Sequence, residues 1–108
     1  MSLSRRESLV TIARKYDALI ICDDVYDFLQ YPEFNNSLVR SRLPRLVDID
    51  RFLDNGPRDR FGNVVSNGSF SKLIGAGCRV GWAEGTGDLI YGLSQTYYSP
   101  SRAICNIP

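Results

Sequence analysis

Lys72 closes the run Ser69-Phe70-Ser71-Lys72, and Arg79 follows seven residues later inside Gly77-Cys78-Arg79-Val80-Gly81-Trp82. An amine set beside small hydroxyls, with a guanidinium close behind, has a definite chemical use. The amine can condense with an aldehyde while the hydroxyls and the guanidinium bind a phosphate. A second group, Asp23-Asp24-Val25-Tyr26, follows an apolar run and supplies a carboxylate and a phenol. Together these types suit pyridoxal phosphate, a phosphorylated aldehyde on a pyridine ring.

The roles divide as follows. Lys72 attaches the aldehyde and later moves a proton at the substrate α-carbon. Both jobs need a neutral amine, which partial burial and the nearby Arg79 cation would favour. Asp23 facing the pyridine nitrogen keeps it protonated, so that the ring withdraws electrons. Tyr26, three residues on, brings its hydroxyl to the ring's phenolic oxygen. Arg79 grips the phosphate through two parallel N–H groups, as lysine could not, and Ser69 and Ser71 add neutral hydrogen bonds. Singly, each feature has a plainer reading. Ser-x-Ser-Lys is a common string, Tyr26 and Trp82 are ordinary packing aromatics, and Asp24 and Asp27 read as solvated or capping acids. Order and spacing taken together carry the inference.

Such residues need a scaffold that makes them converge. In open α/β sheets, ligands sit beyond the carboxyl ends of the strands. Ala18-Leu19-Ile20-Ile21-Cys22 is apolar without alternation, the pattern of a parallel strand covered on both faces, with Cys22 as a small buried apolar residue. Asn63–Asn67, entered through Gly62, reads as a second strand and Cys78–Ala83 as a third. Asp23 and Ser69–Lys72 each fall just past a strand. A helix is expected over about 5–16, opened by a capping box of Ser4 and Glu7 and ended by Asp17. Its inner face is Leu9, Ile12, Ala13 and Tyr16, with Arg5, Arg6, Arg14 and Lys15 mostly opposite. Asp88 is placed to cap a further helix with inner residues Leu89, Ile90, Leu93 and Tyr97. Residues 27–62 are punctuated by Tyr31-Pro32, Leu43-Pro44 and Asn55-Gly56-Pro57, with Leu46–Asp50 as a short strand or a turn of helix. So long a connection is expected to lean on protein outside this sequence. From Tyr98 onward no periodic signal remains.

Composition sets outer bounds. The 108 residues allow one domain, and 44% hydrophobic with 23% charged residues is an ordinary globular balance. A net charge of +1 offers no field for nucleic acid or an anionic membrane. No apolar run approaches the roughly 18 residues of a membrane span. Three widely spaced cysteines form neither a disulfide framework nor a zinc pattern, which favours a reducing, cytoplasmic setting. Histidine is absent, so Ser-His and Cys-His pairs and histidine metal sites are excluded within this chain. No metal site is expected.

The ordered set of motifs resembles the fold-type I pyridoxal-phosphate enzymes, specifically the class I and II aminotransferases, over roughly residues 5–97. Arg14–Tyr26 is similar to the family segment that carries the ring-nitrogen aspartate and ring-oxygen tyrosine. Asn67–Lys72 is similar to its lysine motif and Gly77–Trp82 to its phosphate-binding arginine motif. The lysine-to-arginine spacing and the Asp-Asp-x-Tyr form favour the branch of aromatic-amino-acid and 2-aminoadipate aminotransferases. The resemblance implies an α/β fold, a partial three-layer sheet of the aminotransferase large domain with mostly parallel strands. It implies residues 1–97 as the central part of that domain, with 98–108 a divergent tail. It further implies pyridoxal 5'-phosphate as cofactor, an amino acid and a 2-oxo acid as substrates, and a homodimeric parent enzyme. Ala76 stands where the family usually has proline. The family's upstream glycine-containing phosphate loop, ring-stacking aromatic and asparagine segment, and its downstream carboxylate-binding arginine, are not found here. The chain is therefore expected to be a truncated or mis-spliced product, or a piece of a longer protein, inactive alone and prone to aggregate. A pyridoxal-phosphate lyase of the same fold and a non-catalytic α/β fragment are the alternatives.

Overall fold

A computed structural model describes residues 1–29 and 43–96 in full and the strand 103–105 by its backbone. The expected break at Tyr31-Pro32, the expected inner residue Tyr97 and most of the tail lie outside the described residues. The elements are α1 (Leu3–Lys15), β1 (Ile20–Asp23), α2 (Leu46–Phe52), β2 (Val64–Ser69), β3 (Gly81–Glu84), α3 (Gly87–Thr96) and β4 (Ala103–Cys105). The strands form one mixed sheet in the order β1-β2-β3-β4. β1 runs parallel to β2, β2 antiparallel to β3, and β3 parallel to β4. The expectation of an α/β fold is met in this coarse form, but the sheet is mixed, with β1 and β2 running opposite to β3 and β4, and not mostly parallel.

The helix α1 starts earlier than expected and without the capping box. Ser2 occupies the N-cap position, its carbonyl accepting from the Arg6 amide, and no side chain caps the helix. The end falls where the sequence placed it: Asp17 takes a left-handed φ of 51°. The expected inner face is corrected more sharply. Val10, Ala13 and Arg14 are the buried residues, while Ile12 and Tyr16 are exposed. Arg14 is buried because it has a partner far along the chain, Asp50 on α2, at 3.1 Å. Helical spacing alone could not reveal that acid.

The Leu46–Asp50 stretch is a helix, and its N-cap Arg45 donates its amide to the Asp48 carboxylate at 2.9 Å. α1 packs on α2 and α2 on β2, and the core beneath them is Val10, Cys22, Val47, Ile49 and Val64. Burial of apolar area between these layers is the main favourable contribution to folding. Ile20, Cys22, Val64 and Ser66 share that covered face by strand alternation and register. On the opposite face Ile21 is 74% exposed, and neighbouring Leu19 is exposed too. The apolar run is thus covered on one face only within the described residues, a correction to the two-sided burial expected from its pattern.

β2 is longer than expected and β3 starts later; Cys78 belongs to a 3-10 turn, Ala76–Cys78. Gly62, at the entrance to β2, has φ 68°, and a Cβ there would meet the Asp50 carboxylate and the Thr86 methyl at 2.8 Å. α3 is capped by Thr86, which accepts from the Leu89 amide at 3.4 Å and donates to the Phe61 carbonyl at 2.5 Å; Asp88 lies inside the first turn. On α3 Ile90 is buried while Leu93 is exposed. β4, three residues within a stretch without periodic signal, was too short to show in the sequence.

Candidate active site

Strand direction decides where the motif residues go. β1 and β2 are parallel and in register, Asp23 opposite Asn67, so the Asp23–Tyr26 segment and the Ser69–Lys72 segment leave the sheet at the same end. β3 is antiparallel to β2, with Gly81 opposite Ser69, so the loop carrying Arg79 enters the sheet at that end as well. Three segments, the first about 45 residues from the other two, therefore meet at the carboxyl ends of β1 and β2.

The turn after β1 is built from the backbone. The Asp24 amide donates to the Asn67 carbonyl at 2.9 Å, and the Asp27 amide to the Asp24 carbonyl at 3.0 Å. Asp24 is not the solvated acid expected from the sequence. Its carboxylate accepts a hydrogen bond from Ser66, a fully buried residue, at 2.5 Å. Alternation then sends Asp23 to the other face, where it is exposed. Tyr26 is exposed on the turn, and the Lys72 Nζ sits over its ring, 5.5 Å from the centroid. At an exposed position such a contact is worth about 0.5–1 kcal/mol.

Past β2 the chain enters a 3-10 turn, Phe70–Lys72, where the Ser69 hydroxyl accepts from the Ser71 amide at 3.1 Å. The Ser69 O–H thus stays available as a donor. Phe70 packs on Trp82 at 4.9 Å between ring centroids, and Phe28 lies 5.9 Å from the same indole. Trp82 is therefore a packing residue, as its plainer reading held. It lies over Gly68, where a Cβ would fall 2.2 Å from the indole Cε2. Gly68 lets the β2–β3 hairpin close tightly beneath Lys72. Arg79 occupies the left-handed region, φ 50°, just before β3. A non-glycine residue there carries strain of order 1–3 kcal/mol.

The candidate residues are brought together unequally. Lys72 and Tyr26 touch, and Ser69 and Ser71 share a hydrogen bond. Asp23 and Arg79 arrive at the same end of the sheet without an ion pair between them among the described residues. Lys72 and Arg79 are both exposed, so the partial burial expected around the amine is not supplied by the described residues. The donor set fits one wall of a pyridoxal phosphate site: an acid, a phenol, an amine, two hydroxyls and a guanidinium at a single sheet edge.

Sequence reasoning missed the charged hub behind this wall. Arg45, 13% exposed, pairs with Asp27 of the turn at 3.5 Å, with Asp48 at 3.1 Å and with Glu84 of β3 at 2.8 Å. Burial opposes its charge, but hydrogen bonds to Glu84 and Asp48 outweigh that and hold its pKa above the ordinary arginine value. Burial likewise raises the Asp48 carboxyl, and the Arg45 hydrogen bonds reverse this, leaving it below the usual carboxylate range. Asp48 lies one helical turn away, but Asp27 and Glu84 come from separate elements, so no local spacing announced the hub. Beneath, Cys22 is buried as expected; desolvation first, then Asp24, pushes its thiol up to about 11.

A cavity of about 340 Å³ opens at the opposite, amino-terminal end of β1 and β2, lined by Arg14, Lys15, Asp17, Arg58, Asp59 and Asn63. Its polar groups are largely engaged within the chain. Arg14 binds Asp50, Arg58 donates to the Arg14 carbonyl at 2.7 Å, Asp59 accepts from the Phe61 and Gly62 amides, and Asn63 donates to the Ala18 carbonyl.

Comparison with known proteins finds relatives of this chain. The chain is 52% identical, over 77% of its length, to an uncharacterised protein of Saccharomyces cerevisiae, of which it spans 18%. It is 37% identical over 79% of its length to an aromatic amino acid aminotransferase of Schizosaccharomyces pombe, again spanning 18% of it. It is 33% identical over 83% of its length to the mitochondrial kynurenine/alpha-aminoadipate aminotransferase of Bos taurus, spanning 17% of that protein. No family model and no solved structure matches. The chain thus covers less than a fifth of the length of these relatives, and within that span it belongs to the aminotransferase family.

Proposed function

We propose that this chain forms the cofactor-holding wall of a pyridoxal-phosphate-dependent aminotransferase of class I/II, whose reaction moves an amino group between an amino acid and a 2-oxo acid. The observation that carries the reading is the pairing of β1, β2 and β3, which delivers the Asp23, Lys72 and Arg79 segments to one sheet edge. The names of the relatives support it, and favour aromatic or 2-aminoadipate-like substrates.

Bound there, the cofactor would supply an electron-withdrawing ring that stabilises negative charge at the substrate α-carbon. The chain's residues do the rest. Asp23 holds a proton on the ring nitrogen, Tyr26 hydrogen-bonds the ring oxygen, and Ser69, Ser71 and Arg79 hold the phosphate. Lys72 would supply the amine that holds the aldehyde and would carry the proton at the α-carbon. With Lys72, Tyr26 and Arg79 exposed, this wall admits water, so the chain alone is proposed to bind cofactor without efficient turnover. The whole enzyme is proposed to be a cytoplasmic homodimer. Among the described residues no helix is long and apolar enough to cross a membrane.

The sequence holds two lysines, Lys15 and Lys72, both exposed, which supplies an internal control. Incubation with pyridoxal phosphate, borohydride reduction and peptide mapping should place the added mass on Lys72 in preference to Lys15. Lys72→Ala should abolish the preferred site, and Asp23→Asn should weaken it. Equal labelling of both lysines would sink the proposal.

A further inference from the structure

We propose that Arg45 is the positioning residue of this site, clamping the turn that carries Tyr26 against the hairpin that carries Lys72 and Arg79. The inference deepens the reading above and rests on it for the ligand, though the clamp itself is a separate mechanical claim. The turn is fixed at both ends. At its start, Asp24 is held to β2 by the Ser66 hydroxyl and by the Asn67 carbonyl. At its end, Asp27, next to Tyr26, meets the Arg45 guanidinium at 3.5 Å. Arg45 is itself immobilised. Its Nη1 reaches Glu84 Oε2 at 2.8 Å, its Nη2 reaches Glu84 Oε1 at 3.0 Å, and Nε and Nη2 bond the two Asp48 oxygens at 3.2 and 3.1 Å.

Glu84 closes β3, opposite Ser66 on β2. The guanidinium therefore ties the end of the turn to β3, while Asp24 ties its start to β2 at the paired position, and the turn is caught between attachments to two adjacent strands. Removing that link should loosen the Asp27 end of the turn, which Phe28 also anchors on Trp82, while leaving the sheet pairings intact. A planar, five-donor group suits three carboxylates in a way an ammonium does not. Arg51, which reaches Glu84 at 3.4 Å, adds a second positive charge on the α2 side and keeps Glu84 in place.

The test uses the full chain and two variants. Asp27→Asn removes the turn-side charge and keeps the α2–β3 pairs; Arg45→Lys keeps the charge and loses the fork. In both, amide exchange at residue 27 and at Leu29, whose amide bonds the Tyr26 carbonyl at 2.9 Å, should quicken about tenfold. The Phe70 amide, bonded to the Val80 carbonyl at 3.0 Å, should keep its wild-type rate. The preference of pyridoxal phosphate for Lys72 over Lys15 should fall several-fold in step. Unchanged exchange at 27 and 29, or equal quickening at Phe70, overturns the clamp. If wild-type labelling shows no preference for Lys72, the cofactor reading fails, and the exchange pattern still decides whether Arg45 holds the turn. Quickened exchange with unaltered labelling preference overturns its role as a positioning residue.

Discussion

At the amino-terminal end of β1 and β2, charge is buried and engaged: Arg14 and Asp50 are both under a tenth exposed, and Asp50 also accepts from the Asn63 amide at 2.8 Å. At the carboxyl-terminal end, Asp23, Tyr26, Lys72 and Arg79 all face solvent. The same two strands thus run from a structural end to a chemical end. A buried pair is strongly destabilising to break because the partner left behind keeps its desolvation cost. Exposed groups of the same charge can be exchanged with little effect on the fold, which leaves them open to be chosen for chemistry.

This contrast can be broken, most forcibly at its structural end. Asp50→Ala takes the buried carboxylate partner from Arg14 and the acceptor from the Asn63 amide, and should lower stability by about 3–5 kcal/mol, seen as loss of cooperative unfolding in a denaturant titration. If Asp50→Ala unfolds like the parent, the amino-terminal end is not where stability resides.

A smaller effect appears with pH. Cys22 stays a neutral thiol in the folded chain up to about 11, whereas the unfolded thiol ionises near its ordinary value of 9.0. Its raised pKa therefore contributes stability that is whole below pH 9 and lost as pH climbs from there toward 11. The melting temperature should decline across that window, and Cys22→Ala should flatten the decline at the expense of a small cavity. Over the same range the exposed Cys78 should react with thiol reagents well before Cys22.

The smallest effect on stability is expected at the chemical end. Arg79→Gly relieves a left-handed backbone, so stability should hold or rise by up to about 1 kcal/mol. Inorganic phosphate and pyridoxal phosphate should both bind more weakly to it. A stability loss larger than that would mean Arg79 is part of the scaffold.

Much of this layout was legible in the chain. The apolar run before Asp23 and the strand before Ser69 could be read because each depends on local pattern, and they bring the candidate residues to one end of the sheet. The direction of β3 was not legible: a four-residue strand with intermediate burial throughout has no alternation to betray it. Nor were Arg14, Asp24 and Arg45 seen as structural, since each owes its burial to a partner on another element. Ile12 and Ile21 misled for a related reason. Their apolar character signals burial, yet the described residues leave both exposed. A sequence reports what a surface is fit to meet, and not whether that counterpart lies within the same stretch.

The antiparallel join of β2 and β3 has a practical consequence. Lys72 and Arg79, the proposed attachment point and anion grip, both lie on the connection between these two paired strands, beside an indole resting on a glycine. On that reading the two groups arrive together on one stretch of chain. Whatever supplies the opposite wall, in cis or in trans, has only to be brought against one preassembled unit, which makes this stretch a natural candidate for complementation by a separately expressed remainder.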